Sequence, residues 1–206
     1  MKLAVFDFDS TLMDGETIEF LAKEVGIEEK VKNITDRAMK GELDFFESLT
    51  ERVRLLKGLK LDTVNYICEN LPLMNGAKDT IRGLKNKGYK VVCFSGGFKN
   101  ATTYFAKELD LDAEFSNVLH AKQGFLTGFV GGEMMFNDSK GQMLLKLQKV
   151  LCVTHKDTLV VGDGANDLSM FKYADNRVSF CGKPILEKEA NIVIKNKDLR
   201  EILKYI

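Results

Sequence analysis

Four short apolar runs, separated by amphipathic segments, constrain the fold of this chain more than any other feature of its sequence. The first is Lys2-Leu3-Ala4-Val5-Phe6-Asp7-Phe8-Asp9; Lys90 to Gly96, Thr158 to Asp163 and Arg177 to Cys181 follow. Runs this short, apolar almost throughout and bounded by polar residues, are the pattern of strands buried on both faces. Between them the period changes to that of helices. Lys78 to Gly88 carries Ile81 and Leu84 before a glycine stop. Ser139 to Leu151 lines up Met143, Leu144, Leu147, Val150 and Leu151 on one expected face. Buried strands alternating with helices predict an α/β protein, with a Rossmann-like parallel sheet between two helix layers.

Two stretches interrupt that rhythm. Residues 15–74 contain only helical periods: Phe20, Leu21 and Val25; Val31, Ile34 and Ala38; Phe45, Leu49, Val53 and Leu56; Val64, Ile67, Cys68 and Leu71. Gly26, Gly41, Gly58 and Pro72 supply the stops. A small helical bundle inserted after the first strand is the expected result, leaving residues 1–14 and 75–206 as a discontinuous core. The segment 120–136, glycine-rich with scattered apolar residues, predicts a small β-hairpin insertion in that core.

Charge and cysteine usage narrow the setting. Thirty Lys and Arg balance 30 Asp and Glu, so no global field favours nucleic acid or an anionic membrane. Any anionic ligand must be met by local groups. Cys68, Cys93, Cys152 and Cys181 form no CxxC pair and three of them lie in apolar runs, which predicts reduced core cysteines rather than a zinc site. The acidic pair Asp7 and Asp9 follows Met1 too closely for an apolar leader, so a cytoplasmic protein is expected. No oligomeric partner is implied.

The acidic residues gather where strands end. Asp7-Phe8-Asp9-Ser10-Thr11 closes the first run, and the two-residue spacing sets both carboxylates on one face. Adjacent carboxylates repel, so a cation is implied beside them. Gly162-Asp163-Gly164-Ala165-Asn166-Asp167 repeats the pattern at a second strand end. Oxygen ligands without histidine or cysteine suit Mg²⁺. Ser95-Gly96-Gly97-Phe98, between a strand and a helix, offers a hydroxyl and N–H groups to an anion. Lys140 stands in a first helical turn, where the dipole disfavours a cation unless an anion is near. His120 and His155 sit in no motif and receive no role.

These four elements, in this order, resemble the haloacid-dehalogenase-like superfamily, and over the whole chain they are similar to its phosphoserine phosphatase branch. Phe180-Cys181-Gly182-Lys183-Pro184 and Asp198-Leu199-Arg200-Glu201-Ile202-Leu203 resemble the ending of that branch. The resemblance implies a helical cap over the Rossmann-like core and hydrolysis of O-phosphoserine to serine, the last step of serine biosynthesis. It implies Asp7 as nucleophile and Asp9 as general acid and base, with Lys140 and Ser95 on the phosphoryl group. Mg²⁺ would be held by Asp7, the Asp9 backbone carbonyl and Asp163, with Asp167 supporting. Substrate contacts are implied for Glu16, Met39, Phe45, Arg52, Ser95, Gly96, Lys140 and Asn166. The residues themselves agree in part: Arg52 falls on or beside the apolar face of Phe45, Leu49 and Leu56 and needs an acidic partner, from protein or ligand. Glu16 follows the first motif closely. An acid and a base facing one pocket suit a zwitterion, and phosphoserine is one.

Other readings compete. A phosphotransferase would use the same intermediate with an alcohol in place of water, or the substrate could be another small phosphorylated amino compound. A receiver-like signalling module, phosphorylated on Asp7, is disfavoured by Asp9, because an acid/base group speeds loss of the mark that a switch must keep. A dehalogenase has no need of Asp9 or a metal.

Overall fold

A computed structural model of the chain describes residues 1–39 and 42–206, the side chain of Met39 excepted. Its strands are β1 (Lys2–Phe6), β2 (Tyr89–Phe98), β3 (Ala113–Lys122), β4 (Phe125–Gly132), β5 (Thr158–Gly162), β6 (Asn176–Phe180) and β7 (Ile192–Ile194). They form one 7-stranded sheet in the order β4-β3-β2-β1-β5-β6-β7. Every neighbouring pair is parallel except the β3–β4 hairpin. Strand alternation explains why β1 is apolar throughout. Ala4 and Phe6 enter one core and Leu3 and Val5 the other, each fully buried. Burying a leucine, valine or phenylalanine side chain stabilises by about 1.5–3 kcal/mol. Strand β1 is thus anchored firmly enough to carry an irregular turn at its carboxyl end.

The helices are α1 (Thr17–Glu24), α2 (Glu28–Met39), α3 (Phe45–Arg54), α4 (Leu61–Glu69), α5 (Ala77–Asn86), α6 (Lys99–Glu108) and α7 (Ser139–Leu151). Helices α1 to α4 lie between β1 and α5 in the chain, over the segment read as a helical insertion. Asp44 and Glu47 start α3 with a reciprocal capping box, at 2.8 Å and 3.0 Å. That cap sets the start of the helix that carries Phe45 and Arg52. No helix among the described residues is long and apolar enough to cross a membrane.

The structure departs from the sequence reading in particular places. Strand β3 carries Glu114, Ser116 and Asn117, polar residues that hide a strand, yet Ser116 and Asn117 are fully buried. Their partners come from elsewhere: Thr102 pairs with Ser116 at 2.7 Å, and the Asn117 amide donates to the Gly96 and Met134 carbonyls at 3.1 Å. Segment 120–136 covers the end of β3 and all of β4, so this hairpin extends the main sheet. It also grips the helical insertion, since Gly58 N–H donates to the Leu126 carbonyl and Leu126 N–H to that of Leu59, both at 2.8 Å. Strand β7 is too short to read from its period. Ser95–Phe98 belong to an irregular end of β2, with a register shift between Phe94 and Phe98, rather than to a loop after it. In α7 Leu144 is buried and Met143, Leu147 and Leu151 pack beside it, but Val150, assigned to the same face, is exposed. Gln148 is buried instead, its amide satisfied by the Thr158 hydroxyl and the Tyr173 carbonyl at 2.9 Å and 2.7 Å. Cys68 and Cys93 are buried free thiols, whereas Cys152 is exposed.

Candidate active site

Strand β1 lies at the centre of the sheet, and the strands that follow it in the chain are laid down on both of its sides. The carboxyl end of such a strand opens into a crevice, the switch point where open α/β sheets bind ligands. Asp7 follows β1 there, Asp163 follows β5, and Ser95 lies near the end of β2. Asp7 is fixed by its backbone, whose N–H donates to the Val161 carbonyl at 2.9 Å. Its Oδ1 accepts from Phe8 N–H at 2.7 Å and faces Lys140 Nζ at 2.7 Å. Lys140 also donates to Asp167 Oδ1 at 2.6 Å. All three residues are at most 3% exposed. Asp167 Oδ2 in turn accepts from the N–H groups of Asp163 and Gly164, at 3.0 Å and 3.1 Å.

Oxygens of Asp7, Asp163 and Asp167 all lie within 4.8 Å of one another. The electrostatic result follows from burial and repulsion. Burial, then the Asp167 charge, push the Asp7 carboxyl well above its usual range, with Lys140 opposing them. Asp163 is pushed up to about 6 by burial and by Asp167. Burial works against the Lys140 charge, but Asp167 and Asp7 outweigh it and hold the ammonium above its ordinary value. One cation among three carboxylates leaves an excess of negative charge that a divalent ion fits.

Asp9 is arranged differently. Its Oδ1 accepts from both the N–H and the hydroxyl of Thr17, at 2.7 Å and 2.5 Å. Its Oδ2 lies against Gly97, where an added Cβ would be 2.6 Å away and 3.0 Å from Ser95 Oγ. Only glycine allows that approach. Burial raises the Asp9 carboxyl above its ordinary value, the Thr17 bonds working the other way. With two donors on Oδ1, a proton on Asp9 belongs to Oδ2, the oxygen facing the Ser95–Gly97 turn. Sequence reasoning missed Thr17, whose position in the first turn of α1 carries no local signal of this role.

The helical insertion contributes the opposite wall. The Phe45 ring packs on Gly96, where a Cβ would meet it at 2.8 Å. Arg52 is half-buried, with its Nε donating to the Ser48 carbonyl at 3.2 Å, and it forms no ion pair among the described residues. Burial lowers its pKa, and Glu16 and Asp9 are the largest charges that counter this. Glu16 precedes α1 and accepts the Ser10 hydroxyl at 2.8 Å. Burial and the Asp9 charge push its carboxyl up to about 8. Asn166 sits beside Gly164 in the turn after β5. The contact expected at Met39 lies outside the described side chains. A crevice of about 240 Å³, lined by Asp44, Phe45, Phe46, Phe136, Asn137 and Asp138, lies at the seam beside Phe45, where Phe46 and Phe136 stack.

An aspartate after β1, a second aspartate two residues on and a buried lysine gather at the switch point of one sheet. Residues 1–175 match the haloacid dehalogenase-like hydrolase family, and the chain belongs to it. Its relatives in that family include phosphoserine phosphatases. It is 61% identical to a phosphoserine phosphatase of Wolinella succinogenes, over 100% of both chains. It is 49% identical to a phosphoserine phosphatase of Methanocaldococcus jannaschii, over 100% of this chain and 97% of that one. A solved phospho-aspartyl intermediate analogue of phosphoserine phosphatase superposes with a TM-score of 0.95 at 49% identity, covering 100% of this chain and 98% of that one. A substrate-bound phosphoserine phosphatase complex does so with a TM-score of 0.94, at the same identity and coverage.

Proposed function

We propose that the chain hydrolyses O-phosphoserine to serine and phosphate through an aspartyl-phosphate on Asp7. One observation bears most of the weight. Asp7 Oδ1 is tied to Lys140 and Phe8 N–H, which leaves Oδ2 as the oxygen without a donor among the described residues. In the first half-reaction that oxygen attacks phosphorus, forming the Asp7–phosphorus bond as the bond to the serine oxygen breaks. Asp9 gives its proton to the departing alkoxide, help worth about 10²–10⁴-fold. In the second, water attacks the same phosphorus, Asp9 takes the water proton, and Asp7 leaves as a free carboxylate. Ser95, Gly96, Lys140 and Asn166 receive the phosphoryl oxygens. Asp7, the Asp9 carbonyl and Asp163, supported by Asp167, would hold Mg²⁺. When bound, the ion supplies positive charge beside the phosphoryl oxygens. Residues 15–74 act as a cap over a core of 1–14 and 75–206. Within the cap Phe45 and Met39 bound the pocket, Glu16 meets the substrate ammonium and Arg52 its carboxylate.

Phosphate release from O-phosphoserine in Mg²⁺ buffer tests the scheme. Acid-quenched wild-type protein retains radiolabelled phosphate, and the Asp7→Asn protein neither retains it nor turns over, since an amide nitrogen is no nucleophile. A folded Asp7→Asn protein keeping more than about 1% of wild-type turnover overturns the covalent scheme. Transfer of label to an added alcohol faster than to water would favour the phosphotransferase reading instead.

A further inference from the structure

Ser10 is held in the left-handed region, at φ 56° and ψ 8°. An L-residue there costs about 1–2 kcal/mol relative to its right-handed form, and glycine avoids that cost. The turn itself asks only for the backbone. Ser10 N–H donates to the Gly15 carbonyl at 2.8 Å, a bond any residue but proline supplies. What serine adds over glycine at this position is its hydroxyl. Its short contact is with Glu16 Oε1, to which it donates at 2.8 Å, the Gly15 carbonyl being farther at 3.5 Å. Glu16 stands on the cap side of the joint and Ser10 on the core side.

We infer that Ser10 is a positioning residue for substrate specificity, fixing the Glu16 carboxylate through its hydroxyl so that the second oxygen meets the substrate ammonium. The inference rests on the proposed role of Glu16. Binding Oε1 sets the plane of the carboxylate and removes rotamer freedom that ammonium binding would otherwise have to freeze. It also pins that plane to the turn that carries Asp9, so an ammonium on Glu16 and a leaving oxygen at Asp9 share one rigid reference. Glycine at this position would keep the turn and lose the pin.

The experiment compares Ser10→Gly with wild type on O-phosphoserine and on 3-phosphooxypropanoate, which is phosphoserine without its ammonium group. The variant is expected to lose roughly 5- to 30-fold in kcat/KM on phosphoserine, less than the full worth of one hydrogen bond to a charged group because Glu16 keeps its own contact with the ammonium, and mainly through KM. On 3-phosphooxypropanoate it should lose less than about 3-fold, and its Tm should stay within about 2 °C of wild type, because the relieved backbone offsets the lost bond. In a Glu16→Gln background the Ser10→Gly loss should largely vanish, as coupled neighbours require. Equal losses on both substrates with a lower Tm would make Ser10 structural and overturn the inference. Additive losses in the double variant would do the same while leaving Glu16 intact. If Glu16→Gln alone shows no preference for the ammonium-bearing substrate, the reading of Glu16 fails first and the inference falls with it.

Discussion

Lys140, at the start of α7, and Arg52, in the helical insertion, are two cations near the site, and the chain treats them in opposite ways. Lys140 is fully buried and has two carboxylate partners, at 2.7 Å and 2.6 Å. Arg52 is half-buried, spends its Nε on a backbone carbonyl and has no carboxylate of its own among the described residues. The carboxylates divide similarly. Asp167 is held by a lysine and two N–H groups, whereas Glu16 accepts a single hydroxyl. A charge with internal partners is a finished part of the catalytic machinery, oriented before substrate arrives. A half-buried charge without a counter-charge carries a desolvation cost that a ligand of opposite charge relieves. On the proposed function, the strand-end cluster is preorganised for the reaction, and the helical insertion is left for the substrate to complete.

Removing Lys140 breaks this contrast most severely. In Lys140→Met, Asp7 and Asp167 lose their shared counter-charge, and breaking a buried pair costs about 3–5 kcal/mol. A chain of this length should then melt roughly 6–20 °C lower in metal-free buffer, and its kcat should fall by about 10²–10³-fold as phosphoryl charge stabilisation is lost. Circular-dichroism melts and phosphate release measure both. A variant with unchanged Tm would mean that Lys140 is no more integral to the core than Arg52 is to the cap.

Arg52→Ala sharpens the contrast. Losing a charge-assisted hydrogen bond to the substrate carboxylate should lower kcat/KM for phosphoserine by about 10- to 150-fold. Phosphoethanolamine lacks that carboxylate and should be hydrolysed nearly as before. Because Arg52 has no protein carboxylate to lose, its Tm should move by less than about 2 °C. Equal losses on both substrates with a lowered Tm would return Arg52 to a structural role.

The smallest effect concerns Glu16 and has a definite sign. Its carboxyl lies at about 8 in the folded protein against an ordinary 4.5, raised by burial and by Asp9 and Asp163, and opposed by the Ser10 hydroxyl and Lys183. The folded state therefore holds a proton that the unfolded chain has released, and between those two values stability falls as pH rises. Glu16→Gln removes that loss. Its Tm should exceed that of wild type by roughly 3–8 °C at pH 9, with the gap closing below about pH 4.5. Parallel melting curves across that range would mean that the unliganded cap does not leave Glu16 unsatisfied.

The core motifs were legible because each combines a strong local period with an improbable charge. Asp7 and Asp163 end apolar runs, and Lys140 opposes the dipole of the helix it begins. Each signal needs only the sequence beside it. The cap was legible as helices, and Arg52 as a residue at the edge of an apolar face, but which charges remain without partners there was not. Thr17 escaped notice because a threonine in a first helical turn is ordinary. Only when α1 folds against the β1 turn does it become the double donor to Asp9 Oδ1.

The sequence by itself determined the alternation of buried strands and helices, the helical insertion, and the strand ends at which carboxylates gather. These depend on period and local order, which the chain carries residue by residue. Only the tertiary structure decided that β3 is a strand, since Ser116 and Asn117 can be buried only once Thr102, Gly96 and Met134 arrive to bond them. It also decided that β4 grips the cap at Leu59, and that Lys140 bridges Asp7 and Asp167 across 133 and 27 residues of chain (140 − 7 and 167 − 140). Partnerships over such distances leave no local trace, because a polar group's burial is favourable only in company that the rest of the fold must bring to it.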